Sequence, residues 1–366
     1  MTEDKLHAAL ARLERETSRP LVVDRERLLE DFREDQEHEG TLGMKILSII
    51  GAFMATSFFL GFIFLLGLDS APALGLIGAG MLTGGYLFCR RDLLGVMGEA
   101  FGIALVVCGF PLVLTGVAEV VPDETGMGVV ALMLAGTVLL AVENTVVSFL
   151  ATVVMGGSLL FLAHDGFDRF GAHLYVGFVG VLLTVFIHFE ARSLTASRLL
   201  NRRYDGIRIG LMLALLIGAG YLSDFRFWME LPRLPNWYAS VVLVPLTLWV
   251  VHNLFRRFLR PEGAKDVAAV ARVNSPRHWL YLGGVLVLLL PTIFAPALSA
   301  TLLCLLLAWT AGYRTGTILA VVALVYFLSR YYYDLNLSLL SKSLILCASG
   351  SLFLLAWGVL YKKIAP

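Results

Sequence analysis

Hydrophobic residues occur along this chain in long, nearly uninterrupted blocks, which short polar stretches separate. The blocks fall at about 44–68, 72–88, 94–118, 127–142, 145–163, 172–189, 207–222, 237–255, 278–293, 296–312, 315–329 and 339–361. A helix needs about 20 apolar residues to cross a hydrocarbon core about 30 Å thick. Blocks of this kind lack the polar alternation of a transmembrane β-barrel. The pattern therefore predicts an all-α, polytopic integral membrane helix bundle of about twelve transmembrane helices.

Two pairs of blocks are too closely spaced to interpret in only one way. Glu143 and Asn144 alone separate the two blocks within 127–163, and the segment from Pro291 to Pro296 separates the two within 278–312. Each pair predicts either two full crossings or one crossing with a re-entrant element, and the sequence leaves both alternatives open.

Residues 1–42 differ from the rest because they are rich in charge. Apolar residues at helical spacing form two stripes, which Pro20 separates: Leu6, Ala9, Leu10 and Leu13, then Leu28, Leu29 and Phe32. We predict a cytoplasmic amphipathic helical region at 1–42 and a multi-pass transmembrane domain at 43–363. The late first block and its mixed flanking charge do not fit a signal peptide. The region either packs on the membrane domain or docks a partner.

Composition and the placement of charge agree with a membrane protein. The chain of 366 residues is 58% hydrophobic and 16% charged, and its mean hydropathy is +0.79, whereas soluble domains carry about 25% charged residues. With a cytoplasmic N-terminus, alternating spans place most of the 29 Lys and Arg residues in the cytoplasm. This distribution predicts an even number of spans and two cytoplasmic termini. A 6+6 division near residue 200 would resemble transporter repeats, although the halves share no residue pattern.

Glu99 is the first candidate functional residue because it is a charge inside a predicted span. It lies in the glycine-rich stretch GVMGEAFG at 95–102, where a neighbouring helix could approach closely. One hypothesis makes it a proton- or cation-linked carboxylate or part of a substrate site. The other makes it a structural partner of Arg90, Arg91 or a neighbouring helix.

The stretch SRYYYDLNLSLLSK at 329–342 concentrates polar and aromatic residues beside the predicted bilayer. Tyr332, Tyr333, Asp334 and Lys342 are its candidate functional residues. Lys342 either extends to the membrane interface or forms an ion pair, for which Asp334 is one candidate partner. The tyrosines fit an interfacial belt or a ligand cage.

Other polar residues end predicted spans on the cytoplasmic side. His188 and Glu190 end one span, and His252 and Asn253 end another, while Glu143 and Asn144 lie at the same level. Convergence of these ends would create a polar vestibule, but the sequence does not determine whether they converge.

Signature motifs of common enzymes are missing from the sequence. It contains no Walker A motif, Gly-x-Ser-x-Gly elbow, Cys-x-x-Cys pair or dinucleotide fingerprint. We therefore predict no catalytic residues, no cofactor, no metal site and no nucleic-acid partner. His164, Asp165, Asp168 and His173 have a loose metal-ligand spacing but form no tight motif.

The C-terminal stretch YYYDLNLSLLSKSLILCASGSLFLLAWGVLYKK at 331–363 resembles the bacterial multi-pass membrane proteins called domain of unknown function 4401. The resemblance implies a location in the bacterial inner membrane and a gene close to that of a small membrane protein with a GDYXXLXY motif. It implies no activity.

These observations support two hypotheses of function. The first is an inner-membrane component that works with a small partner membrane protein, in envelope solute or lipid handling. The alternative is a secondary transporter that uses a proton- or ion-linked carboxylate, Glu99, together with Lys342. The oligomeric state stays open.

Overall fold

A computed structural model describes residues 70–91, 95–190, 198–224, 237–258 and 289–334, with scattered positions in 51–65, 283–286 and 340–351. The described chain is helical. Its helices are α1 (Ala71–Arg91), α2 (Gly95–Ala118), α3 (Glu124–Ala141), α4 (Thr145–His188), α5 (Arg198–Asp224), α6 (Tyr238–Phe258), α7 (Pro296–Thr310) and α8 (Arg314–Asp334). A 3-10 helix at Leu290–Phe294 precedes α7.

Eight segments of the described chain are long and apolar enough to cross a membrane, two of them within α4. They coincide with the blocks predicted between 72 and 255 and with the block at 315–329. The blocks at 44–68, 278–293 and 339–361 lie largely outside the described residues, as does the region 1–42. A multi-pass helical membrane protein is therefore established, and the total of twelve spans stays a prediction.

α4 contains a backbone break that separates its two membrane-length segments, Thr145–Asp168 and Phe170–His188. Phe167 leaves the helical region, and Asp168 has φ of 51°, the left-handed region that few non-glycine residues occupy. A Cβ on Gly171 would collide with the Ala163 carbonyl, so only glycine allows the two segments to approach here. The break falls within the polar stretch 164–170 that separates two predicted blocks.

The two ambiguous pairs of blocks differ in the structure. In the first pair, α3 has 18 residues and the first segment of α4 has 24, and the non-helical residues 142–144 separate them. Each is long enough for a full crossing. In the second pair, α7 has only 15 residues, which rise about 22 Å and fall short of a core about 30 Å thick.

Buried hydroxyl groups satisfy the backbone in front of the short helix α7. The Ser299 hydroxyl donates to the Thr292 carbonyl at 2.9 Å and to its hydroxyl at 3.0 Å, and the Thr292 hydroxyl donates to the Leu289 carbonyl at 2.7 Å. Irregular backbone within a membrane requires such partners because lipid offers none.

Residue contacts divide the chain into two compact units. The first contains α1, α2 and residues 140–147, and the second contains residues 128–139 and everything from Ser148 onward. The predicted 6+6 division near residue 200 stays a prediction.

Glycines bring α1 and α2 into direct backbone contact within the first unit. A Cβ on Gly78 would lie 2.7 Å from the Val113 nitrogen, and one on Gly85 would lie 2.8 Å from the Gly102 carbonyl oxygen. Such contacts maximise dispersion attraction in lipid, where no hydrophobic force drives two helices together.

The core of the second unit joins four elements. Leu183 of α4, Met212 and Leu215 of α5, Leu243 of α6 and Leu303 of α7 are fully buried and belong to one cluster. The C-terminal ends of α4, α6 and α7 lie close to one another, and the N-terminal ends of α5 and α8 lie beside them. The polar ends of five helices are therefore at the same end of this unit.

Candidate solute site at the helix ends

A cavity of about 360 Å³ lies at this end of the second unit. The ends of α4, α6 and α7 supply its lining: Ile187, His188, Glu190, Trp249, Val250, Asn253, Leu254, Leu307, Thr310 and Ala311. The structure therefore brings His188, Glu190 and Asn253 together, whereas His252, Glu143 and Asn144, which the vestibule hypothesis also included, are not among the lining residues. The volume of the cavity lies at the lower end of the range for small-molecule sites, about 300–1,000 Å³.

Aromatic and aliphatic side chains form most of the cavity wall. The rings of His188 and Trp249 lie 4.7 Å apart between centroids and are tilted by 58°. Together with Leu254 and Leu307, they give the cavity an apolar surface that suits the hydrocarbon part of a solute.

Asn253 contributes the polar group that is least satisfied. Its Nδ2 atom is buried and has no hydrogen-bond partner among the described residues. A buried amide without a partner costs about 1–3 kcal/mol. A rotation of the side chain into the cavity would bring this amide to an acceptor atom on a bound solute and would remove that cost.

Arg208 organises the charge behind the cavity. Its Nη1 donates to Glu190 Oε1 at 3.0 Å and its Nη2 to Asp205 Oδ1 at 2.7 Å. The guanidinium carbon lies 3.6 Å from the ring centroid of Tyr313 and 5.2 Å from that of Tyr204. Arginine suits this position because its planar group forms ion pairs through its edge and stacks on rings through its face.

The same residues tie α5 to the helices beside it. Tyr204 stacks on Phe186 of α4, with centroids 4.7 Å apart and planes within 12°, and its hydroxyl donates to the Phe186 carbonyl at 3.4 Å. Burial raises the pKa of the Tyr313 phenol above its usual value, so this ring stays neutral beneath Arg208 at physiological pH. These contacts fix Glu190 at the edge of the cavity.

The charge that faces the cavity is negative. Glu190 is the only carboxylate among the described lining residues, and no described lysine or arginine lines the cavity. Arg208 is 6% exposed and shares its charge between Glu190 and Asp205. In these two ion pairs, two carboxylates share one guanidinium.

Glu99 lies in the first unit, where it accepts a hydrogen bond of 2.6 Å from Asn144 Nδ2. The Asn144 side-chain oxygen accepts from the backbone nitrogens of Val146 at 2.9 Å and Val147 at 3.1 Å, and it thereby caps α4. This contact fits the structural interpretation of Glu99. Its predicted functional role stays a prediction.

Tyr332, Tyr333 and Asp334 lie at the end of α8, opposite the end that adjoins the cavity. The rings of Tyr332 and Tyr333 meet edge to face at 5.7 Å, and Tyr333 is 78% exposed. The side chain of Asp334 and all of Lys342 lie outside the described residues. A pairing between Asp334 and Lys342 stays a prediction.

The residues with loose metal-ligand spacing contact aromatic rings. His164 meets Tyr221 at 5.7 Å, and His173 meets Tyr238 at 5.8 Å. Among the described residues, no group of three or more His, Cys, Asp or Glu could hold a metal ion.

Sequence reasoning did not select Arg208, Tyr313 or Trp249. Arg208 lies just inside the predicted span 207–222, so the rule that singled out Glu99 applies to it as well. It was not identified as a candidate because the positive-inside rule already explains a basic residue at the cytoplasmic end of a span.

These observations define the class as a polytopic α-helical membrane protein with a largely apolar cavity, lined by a few polar groups, at its helix ends. The sequence matches the family model for the domain of unknown function DUF4401 over residues 41–363, and the chain belongs to that family. Neither the comparison with curated proteins nor the one with solved structures gives a match.

Proposed function

We propose that this protein binds a small solute in the cavity at the ends of α4, α6 and α7, as part of solute handling in the cell envelope. The observation that supports this proposal best is a cavity of about 360 Å³ that joins an apolar wall to Glu190 and the buried, unpartnered amide of Asn253. A few polar groups on a largely apolar surface are typical of small-molecule sites.

The setting of this site is also part of the proposal. The charge pattern supports cytoplasmic termini, which would place the cavity on the cytoplasmic side. The family resemblance supports the bacterial inner membrane and a small membrane-protein partner. We propose binding and not catalysis as the task.

A thermal melting experiment on the purified full-length protein tests the proposal. A panel of small organic cations, anions and neutral polar solutes is added, and the shift in Tm is recorded, because a solute that binds only the folded state stabilises it. We expect one class to raise Tm. Ala311→Phe, which fills the cavity, should abolish that shift.

Val321→Phe is the matched control because it adds the same ring to an exposed position of α8. It should retain the solute-induced shift. A panel in which no solute raises Tm, or a shift that persists in Ala311→Phe, would refute the proposed function.

A further inference from the structure

We infer that the solute is an organic ammonium compound with a hydrogen-bond acceptor oxygen, either free or as the headgroup of a lipid. This inference rests on the proposed function and specifies its ligand class. Charge, ring chemistry and the unpartnered amide support it separately.

Charge selects a cation. Glu190 lines the cavity, whereas its partner Arg208 is buried behind it with one face against Tyr313. The ion pair with Arg208 uses Oε1 of Glu190, and the Glu190 side chain is still 29% exposed. A cation in the cavity would meet this carboxylate without displacing Arg208.

The aromatic wall selects an organic cation. Tryptophan is the aromatic residue that attracts a cation most strongly through its ring face. Trp249 belongs to the cavity lining, and His188 packs against it. Aromatic walls of this kind suit alkylammonium groups, whose positive charge is spread over apolar carbons. A small inorganic ion would prefer oxygen ligands and would leave most of this apolar cavity empty.

Asn253 selects an acceptor on the same solute. Its buried Nδ2 has hydrogens to donate but no described acceptor. Once the Asn253 side chain turns towards the cavity, a hydroxyl, carbonyl or ester oxygen close to the ammonium group would accept a hydrogen bond from Nδ2. A simple alkylammonium ion would leave this amide unsatisfied.

An anion fits the described cavity poorly. The guanidinium that could bind it is 6% exposed, stacked and already paired with Glu190 and Asp205. An entering anion would have to displace a carboxylate and would also lie beside Glu190.

Equilibrium dialysis with radiolabelled choline tests the inference on the full-length protein in a detergent without choline groups. Choline carries an ammonium group and a hydroxyl oxygen. Its neutral isostere 3,3-dimethylbutan-1-ol has the same shape, and butyrate is the anionic probe. We expect choline to bind at least about tenfold more tightly than either, because each tenfold factor needs only about 1.4 kcal/mol.

Two pairs of variants locate the binding. Glu190→Gln should weaken choline binding about tenfold or more, whereas Asp205→Asn, which removes the other partner of Arg208, should change it less than about threefold. Trp249→Leu should weaken binding, whereas Trp309→Leu changes an exposed tryptophan outside the cavity lining and should not. The Trp249 pair decides the test if Glu190→Gln fails to fold.

Lipid analysis separates the two sources of the ligand. The protein is reconstituted in phosphatidylglycerol nanodiscs that contain a minor fraction of phosphatidylcholine. Enrichment of phosphatidylcholine that Glu190→Gln abolishes would support a headgroup ligand. Choline binding without enrichment would support a free ammonium solute.

Equal binding of choline and its neutral isostere would overturn the inference, as would an equal loss in Asp205→Asn and Glu190→Gln. Preferential binding of butyrate in the cavity would overturn it and leave the proposed function intact. The absence of any solute-induced shift in the melting panel would refute both the proposed function and this inference.

Discussion

Asn144 links two helices through one short side chain. Its oxygen caps α4 while its amide donates to Glu99 of α2, and the residue is only 8% exposed. Glu99 therefore has a structural task that requires an acceptor atom but not a charge.

Substitutions at Asn144 and Glu99 test whether the fold requires the hydrogen bond between them or the charge of Glu99. Asn144→Ala removes a cap and an interhelical hydrogen bond, so we expect the free energy of unfolding to fall by about 1–3 kcal/mol. Glu99→Gln keeps an acceptor and should leave the melting curve unchanged. Denaturation in mixed detergent micelles provides the measurement.

Glu99→Gln also tests the alternative function. If Glu99 is an ion-linked carboxylate, this variant keeps its fold but loses an ion-dependent flux in proteoliposomes. That result would contradict a purely structural role. A flux that survives the substitution would support the structural role.

The limits of sequence reasoning are clearest at single residues. His188, Glu190 and Asn253 were placed at one membrane level because hydropathy fixes where a span ends. Their convergence depends on which helices are neighbours, and α4, α6 and α7 are far apart in the chain. Asn144 was grouped with these residues by level alone, whereas the structure pairs it with Glu99.

At the scale of elements, α1 and α2 depend on glycines at specific positions. Gly78 faces α2, whereas Gly80, two residues further along the same helix, has nothing within 4 Å of a Cβ atom. Both positions are glycines of the same helix, and their depths in the membrane differ by less than one helical turn. Only Gly78 lies against a neighbouring helix.

Alanine at these two positions should have opposite consequences. Gly78→Ala forces α1 and α2 apart, so the free energy of unfolding should fall by about 1–3 kcal/mol. Gly80→Ala meets no neighbour and should be neutral or stabilise the helix by up to about 1 kcal/mol. Melting of both variants in one detergent provides the comparison. Equal losses would show that backbone contact is not the cause.

Helix positions were the most predictable part of this fold, because a block of apolar residues is a local property. The predicted block at 94–118 matches α2 (Gly95–Ala118) almost residue for residue. The block at 296–312 was less informative. The sequence separated it from the preceding block at Pro291–Pro296, in agreement with α7 (Pro296–Thr310), but hydropathy did not predict the 3-10 helix at Leu290–Phe294 or the hydrogen bonds of the Thr292 and Ser299 hydroxyls there.

At the scale of the whole molecule, the charge pattern makes a prediction about orientation. An even number of spans places both termini on the same side of the membrane, and the distribution of Lys and Arg predicts that this side is the cytoplasm. Fluorescent-protein fusions at either end should fluoresce, because the reporter folds in the cytoplasm, and alkaline phosphatase fusions at either end should be inactive.

Residues 120–125 follow the third predicted span and therefore lie outside the cytoplasm in this orientation. A phosphatase fusion there is the positive control for that experiment. Phosphatase activity at one terminus alone would establish an odd number of spans. The predicted positions of all connections beyond the missing or additional span would then be inverted.

The short length of α7 has an electrical consequence. If the deficit of about 8 Å lies at its cavity end and not at the end preceded by the 3-10 helix, Ala311 is about a quarter of the way into the hydrocarbon layer. A monovalent cation bound there would then cross about a quarter of the membrane potential, worth roughly 0.6 kcal/mol per 100 mV. In the predicted orientation, an interior-negative voltage would weaken its binding from the cytoplasm about two- to threefold, so the occupancy of the site would report the energisation of the membrane.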